Sequence, residues 1–238
     1  MCLTTGDQIA SRNSFRRVAP LLMLERKLNQ RCLYRQYGKR ILDLVGSVTG
    51  LLLLVPVIVF TAILVRWKLG RPVFFWQERA GLGGSCFQIL KFRSMTDERD
   101  QNGHLLPDEK RLTPFGKFLR RLRLDEILQL WNVVRGEMSC IGPRPALVSY
   151  LDHYDAFQYR RLEVLPGMTG WSQVNGNVRL PWDERMILDV WYIDHCSPWL
   201  DLKIMLLTWQ VLFFGEHPNY NAIEEAKRHA ECLNRSGR

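Results

Sequence analysis

With 238 residues, 47% hydrophobic and 24% charged, the chain has the make-up of one folded domain with appendages, and its composition excludes the disordered and fibrous classes. A formal net charge of +9 points to anionic partners, whether nucleic acid, anionic lipid or phosphorylated substrates, without choosing among them. The six cysteines form no CxxC pair and the five histidines no HxxxH pair, so neither a disulfide framework nor a zinc site is expected, and the thiols read as reduced.

Residues 1–36 form a basic N-terminal extension. Asp7, Arg12, Arg16 and Arg17 interrupt its start, so it is not read as a secretory signal. From Leu44 to Val65 no residue is charged, a stretch long enough to cross a bilayer. Basic residues flank both ends: Arg31, Arg35, Lys39 and Arg40 before, Arg66, Lys68 and Arg71 after. A single crossing would leave one of these flanks on the wrong side. Pro56, near the middle, removes a backbone donor and bends a helix. The segment 37–70 is therefore read as a re-entrant membrane helix broken at Pro56, with both ends cytoplasmic. An ordinary kinked spanning helix is the competing reading. Gly46 and Gly50 permit close helix contact. Asp43 is expected at headgroup level near Arg40, because a deeply inserted charge is costly.

Residues 73–92 predict a β-hairpin, two aromatic-rich runs around AGLGG. Its glycines suggest a phosphate loop, but no GKS or GKT follows, and a turn is the better reading. Lys91 and Arg93 share a strand face and form a candidate cation pair. Residues 97–111 read as a loop. A helix is predicted to start after Thr113, with Pro114 first, and to run to Gly136. Its early part sets Phe115, Phe118, Leu119 and Leu122 against Lys117, Arg120, Arg121 and Arg123, which suits an anionic lipid surface. Asp125 and Glu126 follow these cations. Carboxylates beside cations stay ionised, and an ionised Asp can attack phosphorus. The ordinary reading of such a pair is a solvated acidic patch. Arg144, between Pro143 and Pro145, is presented on a stiff loop that suits a phosphate. Arg179 and Arg185 flank Trp182, a residue able to stack on a base or to fill the core. A helix is predicted around 183–194. PWLDLKIMLLTWQVLFFG then reads as an amphipathic helix whose Trp199 and Trp209 suit a membrane interface. Residues 216–238 read as a polar tail. The fold class is α+β, mostly helical with a small β-hairpin or sheet, an N-terminal re-entrant membrane helix and interfacial amphipathic helices.

Several long motifs occur in order: KRILD (39–43) with the apolar run, RPVFFWQERAG (71–81), FQILKFRSM (87–95), LTPFGKFLRRLRLDEILQLWNVVRGEMSCIGPRP (112–145), LPGMTGWSQVNG (165–176) and WDERMILDVWYIDHCSPWLDLKIMLLT (182–208). Together they resemble the bacterial sugar transferase family, the monotopic polyprenol phosphate phosphoglycosyl transferases, over about residues 37–215, with 71–215 as the catalytic domain. The resemblance implies an enzyme that transfers a sugar-1-phosphate from a UDP-sugar to undecaprenyl phosphate. Asp125 would attack the sugar-linked phosphate, UMP would leave, and the carrier phosphate would then take the phosphosugar from Asp125. This step initiates surface polysaccharide or glycoconjugate synthesis. The resemblance also implies that Glu126 completes a dyad and that Mg²⁺ is required, with Asp125 and Glu126 as its ligands. Arg120 and Arg144 are implied phosphate contacts, and Lys91, Arg93, Arg179 and Arg185 complete the candidate substrate set. The expected partners are the UDP-sugar, undecaprenyl phosphate and membrane lipids. The expected location is the bacterial inner membrane, with the site on its cytoplasmic face. No nucleic-acid recognition motif is present, and nucleic acid is not an expected partner. Whether the chain forms a homodimer is left open. Four positions depart from the family pattern: Leu128 stands where Pro is usual, Arg123 where Ser or Thr is, Val55 where Ser often precedes the proline, and Asn177 where Arg commonly follows NG. Arg179 is a candidate substitute for that last arginine.

Overall fold

The computed structural model describes residues 34–236. Most of the expected extension 1–36 therefore lies outside the described residues. A π-helical turn, Tyr34–Gly38, leads into helix α1, Lys39–Lys68. Pro56 lies inside α1, and the helix continues through it. The expected break in secondary structure is absent, because losing one backbone donor leaves the turns on either side intact. Asp43, Ser47, Thr61 and Val65 are buried along one stripe of α1, whereas Leu52, Leu53, Phe60, Ile63 and Trp67 on its other faces are exposed. The stripe faces the rest of the chain. A Cβ on Gly50 would lie 3.3 Å from Leu130 Cδ1, so this glycine serves close packing within the molecule.

Both ends of α1 are fastened to the same body. At its start, Arg40 donates to Val133 O at 2.6 Å and Val134 O at 2.9 Å, the last carbonyls of helix α3, Gln129–Arg135. Lys39 pairs with Asp201. Asp43 is buried against protein, and its Oδ1 accepts from Cys140 N at 2.9 Å, a partner that offsets its desolvation. At the far end Val65 packs with Phe92, Leu119 and Leu128, and Arg93 donates to Leu69 O at 3.2 Å and Arg71 O at 2.8 Å.

Strands β1, Phe74–Ala80, and β2, Cys86–Phe92, form the expected antiparallel hairpin, in register from Phe74↔Phe92 to Ala80↔Cys86. Helix α2, Pro114–Arg121, starts as expected: Thr113 accepts from Gly116 N at 3.0 Å and Pro114 takes the first turn. It does not run on to Gly136. The chain breaks at Arg123, whose φ is 56°, makes a 3₁₀ turn over Leu124–Glu126 and re-forms as α3. Strands β3, Ser139–Ile141, and β4, Gly167–Thr169, pair in parallel and hold the loop that carries Arg144 at their end. The short helix α4, Trp171–Val174, packs against α5, Trp182–His195. Helix α6, Pro198–Phe214, follows, with Ser197 as its cap. The tail then forms a further helix, α7, Tyr220–Ser236, whose Ala222, Ile223 and Ala226 join the core around α5.

Trp199, Leu206, Trp209, Phe213 and Phe214 of α6 are exposed, as are Phe74, Phe75 and Trp76 of β1. Together with the exposed apolar residues of α1 they suit association with a membrane. Among the described residues, α1 is the one helix long and apolar enough to cross a bilayer.

Candidate active site

The 3₁₀ turn at Leu124–Glu126 brings two carboxylates to the end of β2. Lys91, near the end of that strand, donates to Glu126 Oε1 at 2.7 Å. Arg144 reaches the same carboxylate from the β3–β4 side, Nη2 to Oε1 at 2.6 Å and Nη1 to Oε2 at 3.4 Å. Arg123 Nη1 lies 3.8 Å from Glu126 Oε2. Burial alone would push the Glu126 carboxyl up, but the charges and hydrogen bonds of Arg144 and Lys91 overcome this and hold it far below the usual carboxylate range. Burial lowers the Lys91 pKa, and Glu126 opposes that shift.

Asp125 is 8% exposed and differently placed. Its Oδ1 is buried without a hydrogen-bond partner. Burial, with the neighbouring Glu126 charge, raises its pKa, while Lys91 and Arg120 pull it down. Arg120 is held by a 3.0 Å bond from Nε to Ser94 Oγ. That contact depends on Gly116, where a Cβ would lie 1.9 Å from Ser94 O: only glycine lets α2 sit directly on the strand exit. The result is a carboxylate held among cations with one oxygen uncommitted. Such an oxygen is open to a phosphorus centre, and the surrounding cations would offset repulsion between an anionic oxygen and a phosphate.

A protein-family model, the bacterial sugar transferase, matches residues 34–215. The chain belongs to the bacterial sugar transferase family. It is 49% identical over 178 residues to the uncharacterized sugar transferase EpsL of Bacillus subtilis (strain 168), covering 75% of this chain and 88% of that protein. It is 38% identical over 181 residues to the UDP-glucose:undecaprenyl-phosphate glucose-1-phosphate transferase of Caulobacter vibrioides, covering 71% of this chain and 67% of that one. To the UDP-N-acetylgalactosamine-undecaprenyl-phosphate N-acetylgalactosaminephosphotransferase of Aeromonas hydrophila it is 37% identical over 186 residues, covering 74% of this chain but 44% of the relative. The chain thus spans less than half the length of several of its larger relatives.

In this sugar transferase the candidate residues divide. Asp125, Glu126, Lys91, Arg120 and Arg144 come together. Arg93 is engaged elsewhere: besides Leu69 O and Arg71 O it bonds Met95 O and pairs with Asp97, so its buried guanidinium ties the exit of α1 to the hairpin. Arg179 is exposed on a 3₁₀ turn, Asn177–Arg179. Arg185 lies over the Trp182 ring at 5.1 Å, with its Nε buried and without a partner, while Trp182 meets Tyr150 edge-on at 5.1 Å. Trp182 is therefore packed against protein groups.

Three contributors escaped the sequence reading. Arg79 donates to Pro145 O at 3.1 Å and steadies the Arg144 loop. Arg161 holds Arg144 O at 2.7 Å from the other side. Glu216 accepts from Arg123 at 2.6 Å, and nothing in a polar tail singles it out. Among the described residues no group of three or more His, Cys, Asp or Glu side chains is placed to hold a metal.

Proposed function

We propose that the chain transfers a sugar-1-phosphate from a UDP-sugar to undecaprenyl phosphate at the cytoplasmic face of the bacterial inner membrane, the first membrane step of a surface polysaccharide or glycoconjugate. Two relatives named above carry this chemistry in their names, with glucose or N-acetylgalactosamine as the sugar. The observation that carries the reading to this chain is the uncommitted Oδ1 of Asp125 beside a Glu126 already saturated with cations.

In this mechanism an Asp125 oxygen forms a bond to the sugar-bearing phosphorus as the bond from that phosphorus to the bridging oxygen breaks. UMP leaves with the bond's electron pair. An oxygen of the carrier phosphate then attacks the same phosphorus and releases the Asp125 carboxylate. Lys91 and Arg144, oriented by Glu126, together with Arg120, offset charge on the diphosphate. Mg²⁺ generally takes one or two protein carboxylates and fills its shell with phosphate oxygens and water. The free oxygen of Asp125 fits that habit, whereas Glu126 has its oxygens occupied by Lys91 and Arg144. Asp125 is thus the residue that would hold the ion, which supplies further charge neutralisation when bound.

The fastening of α1 supports a monotopic arrangement. If both ends bond to one body that carries a charged active site, both lie on the same side of the membrane. Cysteines introduced at positions 37 and 70 should both be labelled from the cytoplasmic side. Labelling from opposite sides would exclude re-entry. For the chemistry, Asp125→Asn should lower UMP release at least about a thousand-fold, and quenched wild-type reactions should carry a phosphosugar on Asp125. Near-normal UMP release by the variant would end the reading.

A further inference from the structure

Among the described residues, two residues other than glycine hold a left-handed backbone: Arg123 at φ 56° and Asn177 at φ 47°. Side chains disfavour this conformation, and where it persists the surroundings enforce it, often at functional sites. These two lie far apart in sequence, yet they aim at one atom. Arg123 Nη2 and Asn177 Nδ2 each donate to Glu216 Oε1 at 2.6 Å. The meeting point is at the active site, since Arg123 lies two residues before Asp125 and its Nη1 is 3.8 Å from Glu126. Its side chain is 36% exposed, so a ligand can reach it from water.

The present occupant is attached in a way that lets it leave. Glu216 lies in the linker between α6 and α7 and follows Gly215, whose φ is 87° and around which a Cβ would meet nothing within 4 Å. Its neighbours Gly215 and His217 border a cavity of about 360 Å³, so the linker is not packed solidly on both sides. Lys91 and Arg144 are bound to Glu126, which is fixed in the catalytic turn, whereas Arg123 makes its shortest contact with a residue on a linker. A carboxylate and a phosphate present similar paired oxygens to a guanidinium, so one can stand in for the other.

We infer that Arg123 and Asn177 form a seat for a phosphate oxygen of the nucleotide donor, and that the Glu216 carboxylate fills this seat until the donor displaces it. The inference rests on the donor reading above and adds to it two donor-binding residues and a built-in competitor.

The test uses the full-length protein in detergent or nanodiscs, with UMP release measured over a panel of UDP-sugars and UDP binding measured by calorimetry. Glu216→Gln keeps the side chain's shape and its bond to Asn177 but removes the competing charge. It should lower the donor KM and the UDP Kd about three- to ten-fold. Arg123→Gln should raise both about ten-fold. In the double variant the gain from Glu216→Gln should disappear, because its target is gone. A purely structural tie predicts the opposite sign for Glu216→Gln, namely weaker donor binding. That result, or additive effects in the double variant, would overturn the inference and leave the enzyme assignment standing. A wild-type protein that turns over no UDP-sugar and binds no UDP would overturn both.

Discussion

Asp189 and Asp125 are both buried aspartates near cations, yet the molecule treats them oppositely. Asp189 has every oxygen engaged: Arg161 Nη2 sits 2.8 Å from Oδ2 and Ser172 donates to Oδ1 at 2.6 Å. Arg161 in turn bonds the Tyr154 hydroxyl at 2.7 Å and the Arg144 carbonyl. Asp125 keeps an oxygen without a partner. The two carboxylates thus differ in what they leave open: Asp189 is fixed by a full set of bonds, and Asp125 has an oxygen open to a ligand.

The comparison can be broken most severely at the scaffold. Asp189→Ala would strand the Arg161 guanidinium in the interior and should destabilise the fold by about 3–5 kcal/mol in chemical denaturation. A loss under about 1 kcal/mol would mean that the pair contributes little. The site should respond in the other direction. The raised pKa of Asp125 means that the folded chain holds this proton more tightly than the unfolded chain. Stability from this group therefore falls as pH rises from the ordinary carboxylate value to the raised one, and stays reduced above it. Asparagine does not titrate. Asp125→Asn should therefore be more stable than the wild type by about 1 kcal/mol at neutral pH, with the advantage vanishing in acid. Unfolding measured at several pH values checks this, and a variant less stable at neutral pH contradicts it.

Much of the architecture was legible because local chemistry and tertiary structure agree. The hairpin follows from aromatic strands around a glycine turn, the start of α2 from Thr113 and Pro114, and α6 from its apolar run, which proves apolar on all faces and not amphipathic as expected. What escaped was set by distant partners. No glycine or proline marks the break at Arg123, and the strain there is enforced by contacts with Glu126 and Glu216. Helix α7 is different: Ala222, Ile223, Ala226 and Ala230 lie at helical spacing in the sequence, and the polar overall composition of the segment masked that stripe. Arg93 and Arg144 both follow β-structure and look alike in sequence. Only the fold shows that Arg93 is engaged by backbone carbonyls and Asp97, whereas Arg144 meets the Glu126 carboxylate beside Asp125. The partner of Asp43, the Cys140 amide, lies in a strand nearly a hundred residues on, beyond the reach of any local reading.

Because Arg40 and Lys39 secure one end of α1 and Val65 and Arg93 the other, α1 and the carboxylate site belong to one packed body. Under the proposed function, the depth of this site in the bilayer is then a built-in length. On that reading, in a thinner or thicker membrane the lipid must deform, or the whole body must tilt, before a carrier phosphate could reach Asp125 at a different height.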